Sequence, residues 1–187
     1  VVTLVTDIPA STRLAYVGLN NESAGRTAAY LIAQALPDGT GTVLTTKSQS
    51  SFLGEEERET AFTTSLLQRC PDLNIIDSSG GSGIGRSTTQ QIEKILDQLG
   101  DLRAVYSMGG GNRSILRTLE DNGLRPKVYV GHDLDRDNRE RIQDRRLDFV
   151  LHHDLQIDIR NAFNSFLAYH RLLNDKLETP ISTVQVL

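Results

Sequence analysis

The chain has one cysteine, no excess of basic charge, no apolar run long enough to cross a bilayer and none of the common catalytic signatures. A single thiol, Cys70, excludes an internal disulfide. It falls late in an expected helix just before Pro71, with no histidine beside it in sequence and no motif around it, and reads as a packing thiol rather than a nucleophile. A spanning helix needs about 20 consecutive apolar residues, which no stretch approaches, and no charged-then-apolar leader opens the chain, so a cytoplasmic setting and no membrane partner are expected. The 20 lysines and arginines are scattered and outnumbered by 24 acids, for a net charge of −4, which argues against nucleic-acid binding by this chain itself. The densest basic stretch, 136–146, is interleaved with Asp137, Glu140 and Asp144 and reads as a solvated helix face. Neither G-x-S-x-G nor H-E-x-x-H nor a Ser/His/Asp order occurs, so catalysis has no positive support and no cofactor is expected.

What is present is organised around residues 102–133. Ala104, Val105, Tyr106 and Ser107 form a short run of β type leading into Gly109, Gly110 and Gly111, after which Ile115, Leu116 and Leu119 recur at helical spacing. Gly123 stops that helix, Pro126 blocks its continuation, and Val128, Tyr129 and Val130 begin a second strand ending at Gly131, His132 and Asp133. Two strands joined by a crossover helix are parallel neighbours, and their carboxyl ends are where open α/β sheets bind ligands.

The rest of the chain follows the same alternation. Residues 1–5 read as a buried strand ending in Thr6, Asp7 and Pro9, and 16–19 as a second extended piece. Asn20 and Asn21 with Glu22 suit a helix cap before Ala24, Ala28, Leu31, Ile32 and Ala35. There follow a strand over 42–46, a helix carrying Phe62, Leu66 and Leu67, a strand over 73–77, a Gly/Ser tract over 78–85 and a helix with Ile92, Ile95, Leu96 and Leu99. After the central unit come a short charged helix, a strand over 148–153, a long helix over 157–177 broken by Pro180, and a last strand over 182–187. This predicts an α/β fold, a doubly wound parallel sheet with helices on both faces, and 187 residues suffice for one domain or two small lobes. The opening VVTLVTD begins mid-strand, as a piece of a longer protein would.

Several motifs invite chemistry and fall short of it. The glycines at 80, 81, 83 and 85 do not fit G-x-G-x-x-G, and a flexible βα loop is the better reading. Gly109, Gly110 and Gly111 suit either an anion at a helix start or a tight turn with Asn112 near the cap. Asp133-x-Asp135-x-Asp137 opens like a calcium loop, but Asn138 replaces the needed glycine and Asp144 the final glutamate, so no metal is expected. His152 and His153 are adjacent on a strand and point to opposite faces, one to a crevice and one to packing, so they do not chelate one ion. What remains is a set of polar residues at strand ends, Asp7, Arg58, Asn112, Asp133 and His153, whose carboxylates, guanidinium and amide suit vicinal hydroxyls. Each also has a purely structural use: Asp133 as a helix cap, Arg58 in an ion pair with Glu55 or Glu59. Convergence on one crevice is the test.

The segments VVTLVTDIPASTRLAYVGLNNESAGRTAAYLI, ERETAF, VYSMGGGNRSILRTLEDNG, VYVGHD and DFVLHHD, in that order over essentially the whole chain, resemble the effector-binding domain of the lactose/galactose-repressor (LacI/GalR) family of bacterial transcription regulators. The resemblance implies a periplasmic-binding-protein-like fold of type I, one complete lobe plus remnants of the other. It implies a small-molecule effector, a carbohydrate, bound in an interlobe cleft; a homodimer; and operator DNA bound only through a helix-turn-helix outside this chain. In the family's layout residues 1–19 are the last strand of the first lobe with the first crossover at 16–20, 20–151 the complete C-terminal lobe, 152–177 a return crossover and helix, and 178–187 a final strand. The long helix would then lack its sheet, and Phe163, Phe166 and Leu167 would pack on another chain or on residues outside this one. Residue by residue, the resemblance puts Arg58 four before the aromatic Phe62, Asn112 or the glycines before it after the VYSM-like strand, Asp133 after the glycine of the VYVG-like strand and His153 on the crossover strand at ligand-facing positions. Asp7 falls where the family often has a ligand-facing acid, with Val5 or Thr6 as the alternatives. A solute receptor for an ABC transporter shares the fold and the cleft and is the rival reading; an enzyme on the same architecture is a third.

Overall fold

The structure, a computed structural model, describes residues 1–8, 11–49, 52–81, 85–173 and 181–187. Pro9, the centre of the Gly/Ser tract, the end of the long helix and Pro180 lie outside the described residues.

Strand β3 (Gly41–Lys47) buries five consecutive residues, as a strand covered on both faces must. It pairs in parallel with β4 (Leu73–Ser79) on one side and β5 (Leu102–Ser107) on the other. Strands β6 (Val128–His132) and β7 (Phe149–His152) continue the parallel sheet, and β9 (Gln185–Val186) closes it antiparallel to β7, giving the order β4-β3-β5-β6-β7-β9. The chain leaves β3 in one direction and returns to β5 on its other side, so the order reverses at the β3/β5 crevice.

Because side chains alternate along each strand, the sheet has two apolar faces. On one, Val43, Tyr106 and Val130 pack with Ile32 of α1 (Asn21–Ala35) and with Phe62 and Leu66 of α2 (Leu53–Arg69). On the other, Leu44, Val105 and Tyr129 pack with Ile92 of α3 (Gly85–Glu93) and with Ile115 and Leu119 of α4 (Asn112–Asp121). The fifth helix of this half, the short α5 (Arg136–Gln143), follows β6. It carries the expected solvated arginines, except that Arg141 is buried, with its Nε unpartnered among the described residues. The α1 helix begins as expected, with the Asn20 side chain accepting from the Ser23 amide. Helices α1 and α2 cross at Gly25, where an added Cβ would stand 2.2 Å from the Arg58 carbonyl oxygen.

A second sheet holds β1 (Val2–Leu4), β2 (Ala15–Leu19) and β8 (Ile181–Ser182), all parallel. Helix α6 (Leu155–Tyr169) packs on β1 and β2, so the long helix has a sheet, contrary to the sequence reading that left it without one. Its outer face is open: Phe163 is 65% exposed, and Phe166 and Leu167 are exposed too. The opening strand is likewise not buried. Only Thr3 is covered, while Val1, Leu4 and Val5 are exposed, because the helix covers one face of this sheet and an apolar run cannot say whether the second face has a partner. The segment read as a crossover contains β2, and the last expected strand divides between the sheets as β8 and β9. The chain therefore passes between the sheets three times, after β2, after β7 and between β8 and β9, and the Asn20 amide donates to the Ser182 carbonyl where two of these passages meet, at 3.0 Å.

Candidate functional site

The carboxyl ends of β5, β6 and β7 carry a connected polar layer. Tyr106, next to last in β5, is fully buried with its ring 4.6 Å from that of Phe62, and its hydroxyl is 2.8 Å from Nε2 of His132. Burial pushes the Tyr106 phenol above its ordinary range. His132, the last residue of β6, is 1% exposed, and its Nδ1 has no hydrogen-bond partner among the described residues. Burial, with the nearby Arg58 guanidinium and His153 ring adding to it, holds the His132 pKa well below its ordinary value, so the ring is neutral.

Arg58 sits behind this pair. Its Nε donates to Asn21 Oδ1 at 2.9 Å and its Nη1 to the Met108 carbonyl at 3.0 Å. The ion pairs with Glu55 or Glu59 do not form: Glu55 accepts from the amide and hydroxyl of Ser48, and Glu59 pairs with Lys47. Asn112 opens α4 behind Gly111, which stands at φ 78°, and its buried side chain is used on both sides. The Tyr129 hydroxyl donates to Oδ1 at 3.0 Å, and Nδ2 donates to Asn138 Oδ1 at 2.9 Å. Asn138 in turn donates to the carbonyls of His132 and Asp133, at 2.8 and 2.7 Å, which pins the end of β6.

Asp133 is exposed and stands at φ 68°, and Val5, a β-branched residue, at φ 64°. Both positions are strained for residues with a Cβ, and such strain collects at binding sites. The left-handed turn at Asp133 also breaks the strand's alternation, so its carboxylate is not bound to the face opposite His132. Val5 and Asp133 line one cleft of about 640 Å³ together with His152, His153, Gln156 and Gln185, drawn from both sheets. Asp133 also lines a second cleft, of about 380 Å³, with Asn112, His132 and the first turns of α4 and α5. Asp133 is no helix cap: that part belongs to Asp135, which accepts from the Asn138 amide. Asp137 pairs with Arg113 at 2.6 Å, and among the described residues no group of His, Cys, Asp and Glu is placed to hold a metal ion.

His153 is buried, with Nδ1 on Oδ2 of the fully buried Asp158, whose Oδ1 accepts from the Ser182 hydroxyl. The carboxylate stands between serine and imidazole, so the wiring fastens β7, α6 and β8 together and gives Ser182 no base. His152 and His153 line the same cleft rather than opposite surroundings, because β7 ends at His152 and the strand alternation with it. Asp7 lies on the small-sheet side, paired with Arg13 at 2.7 Å and accepting from Thr3 Oγ1 and the Ile8 amide.

Of the five positions picked out from the sequence, the structure brings Asp133 and His153 to one cleft and Asn112 and Asp133 to the other. Arg58 and Asp7 are in neither of these walls and are held by protein groups. Sequence reasoning passed over His132 and Asn138, and held Val5 only as an alternative to Asp7. The signal for His132 was its place beside Asp133 at a strand end; the positive φ of Val5 has no sequence signal.

The profile of the periplasmic binding protein domain matches residues 1–165. No curated protein sequence matches the chain. Among solved structures, a glucose-galactose binding protein from Geobacillus stearothermophilus is 19% identical with a TM-score of 0.87, the match covering 100% of this chain and 66% of that one. An ABC transporter solute-binding protein from Burkholderia graminis, in complex with D-arabinose, is 21% identical over 100% of this chain and 65% of its own, also with a TM-score of 0.87. A structure described as a LacI transcriptional regulator from Bacteroides fragilis is 15% identical, with a TM-score of 0.81 and the same coverage of 100% and 65%. The chain thus spans under two thirds of the length of these structures. A family match over residues 1–165, a reversed-order parallel sheet and a cleft between two sheets lead to one conclusion: the chain belongs to the periplasmic binding protein domain family.

Proposed function

We propose that this chain binds a sugar or sugar-like molecule in the cleft between its two sheets, as the effector-binding part of a LacI-type transcriptional regulator. The observation that carries the binding site is the pair of strained residues, Val5 and Asp133, in the walls of one cleft at the carboxyl ends of the strands. An acceptor-only carboxylate at Asp133, backed by histidines and the Gln156 and Gln185 amides, matches the alternating donors and acceptors of vicinal hydroxyls. Asn112 and Arg58 serve the same site as orienting groups, Asn112 through Asn138 and Arg58 through the loop carbonyl of Met108. His153 lines the cleft, and Asp7, paired with Arg13, lies on the small-sheet side outside its wall. The five-block resemblance supports the regulator reading. In it the intact protein is a cytoplasmic homodimer whose ligand favours one lobe arrangement and passes that difference to a DNA-binding head outside this chain.

The second reading, a solute receptor of an ABC transporter, is supported by the Geobacillus and Burkholderia structures. The sequence preceding Val1 in the gene separates the two: a helix-turn-helix there supports the regulator, a secretory leader the receptor. Binding itself is tested by thermal shift with sugars, polyols, sugar acids and sugar phosphates. A rise in melting temperature that vanishes in Asp133→Ala is the expected result. No shift with any compound, at an intact mass of 20.7 kDa, refutes binding by this chain alone.

A further inference from the structure

We infer that Asp158 is a positioning residue of the sugar site: its carboxylate holds Nδ1–H of His153 and so leaves Nε2 of the neutral ring as a bare acceptor on the cleft, where a ligand hydroxyl donates to it. The inference rests on the sugar-binding reading above. Asp158 is fully buried in α6, and its two oxygens are divided, Oδ2 to His153 Nδ1 and Oδ1 to the Ser182 hydroxyl. A carboxylate accepts and does not donate, so the hydrogen between Asp158 and His153 belongs to Nδ1. A neutral imidazole carries one hydrogen, and with it on Nδ1 the other nitrogen has only its lone pair.

The surroundings of the ring show where that lone pair is used. Nδ1 points at the buried Asp158, so Nε2 lies on the opposite edge, and His153 is in the wall of the 640 Å³ cleft in which the sugar is placed. Among the described residues, the polar side-chain atoms sealed from solvent without a partner are Thr46 Oγ1, Ser78 Oγ, Arg103 Nε, His132 Nδ1 and Arg141 Nε. His153 Nε2 is not one of them, although no group of the described residues bonds it, so solvent reaches it. Asp133, in the same wall, is a second acceptor without a hydrogen, while the amides of Gln156 and Gln185 both donate and accept. A ligand must therefore bring hydrogens of its own to two places in this wall, which two hydroxyls do. A fluorine, an ether oxygen or an ionised acid set against Nε2 brings none.

The test uses the full chain labelled with 15N-histidine at about pH 8, above the ordinary histidine range. D-glucose, D-galactose, D-arabinose and D-fructose are the probes, followed by the single-site deoxyfluoro analogues of whichever sugar most raises the melting temperature. The His153 ring is expected to carry hydrogen on Nδ1 alone, and its Nε2 resonance to move when that sugar is added. One deoxyfluoro analogue is expected to bind about tenfold more weakly than its parent, the worth of one hydrogen bond, whereas in His153→Phe the same fluorine should cost little. Asp158→Asn offers the ring an amide that donates as well as accepts, so hydrogen is expected to appear on Nε2 and the preference for hydroxyl over fluorine to shrink. A merely structural carboxylate would lower the melting temperature and leave that preference unchanged. If Nε2 carries hydrogen in the wild type, or Asp158→Asn keeps both the tautomer and the preference, the positioning role falls and sugar binding stands. Should Asp158→Asn not fold, the wild-type resonance decides, since an Nε2 unmoved by bound sugar overturns the inference. If no probe shifts the wild-type melting temperature, this inference and the sugar reading fall together.

Discussion

Replacing Gly25 with alanine sets two opposing effects against each other. In an isolated helix the change is favourable by about 1 kcal/mol, since glycine loses more backbone freedom on becoming helical. Here the new methyl group would lie 2.2 Å from the Arg58 carbonyl oxygen, 3.0 Å from the Phe62 amide nitrogen and 3.1 Å from the Ala61 Cβ. Ordinary contacts of this kind need about 3.5 Å, so α2 would have to retreat from α1 by about an ångström. No flexible side chain can yield instead, because the nearest atoms are backbone. The retreat would loosen a layer in which Ala24, Ala28, Ile32, Phe62 and Leu66 are wholly buried. Overpacking of this kind costs about 1–3 kcal/mol, and with a backbone obstacle the upper end applies. The net loss of about 2 kcal/mol corresponds to a fall in Tm of roughly 4–8 °C for a chain of this size. Differential scanning calorimetry of the wild type and Gly25→Ala measures it directly. Since α2 also carries Arg58, sugar affinity should fall in step with Tm. A variant as stable as the wild type, or more so, would refute the close crossing of α1 and α2 and with it the placing of Arg58 behind His132.

Four further outcomes follow. Tyr106→Phe removes the one partner that His132 Nε2 has among the described residues and is expected to lower stability by about 1–3 kcal/mol in urea titration, more than loss of an exposed hydroxyl would. His132 is held neutral in the fold while an unfolded histidine takes up a proton below pH about 6.5, so the unfolded state binds more protons and stability falls as pH drops through that value, by at most about 1.4 kcal/mol per pH unit. The slope difference between wild type and His132→Phe over pH 7 to 5 reads this contribution, and parallel curves would refute it. Phe62→Ala should lower Tm by roughly 6–20 °C, whereas Phe163→Ser on the open face of α6 should leave it within about 2 °C. Asp158→Ala strands His153 and the Ser182 hydroxyl at the passages between the sheets and should raise amide exchange in β7 and α6, measured by mass spectrometry.

Much of this molecule was legible in the residues. The glycine run at 109–111, the helix spacing of Ile115, Leu116 and Leu119 and the stop at Gly123 each act within a few residues, and the structure places β5, α4 and β6 accordingly. The long second half of the third expected helix is a counterexample: α3 ends at Glu93 and Leu96–Gln98 is a 3-10 turn, although Ile95, Leu96 and Leu99 keep a helical spacing. Periodicity reports which side chains face the core and not which hydrogen-bond ladder carries them there.

Chain-local chemistry thus determined the α/β class, the parallel order of the central strands and the place of Asp133 at a strand end, because turns, caps and apolar periods are decided over one to four residues. Tertiary structure alone decided that Arg58 stands behind Tyr106 and His132, that Asp158 reaches both His153 and Ser182, and that Val5 meets Asp133 across a cleft. Those meetings join residues far apart in the chain, and nothing in a linear pattern carries the distance between them. The left-handed turns at Val5 and Asp133 belong to the same class, since neither residue favours that conformation and only the surrounding sheets hold it.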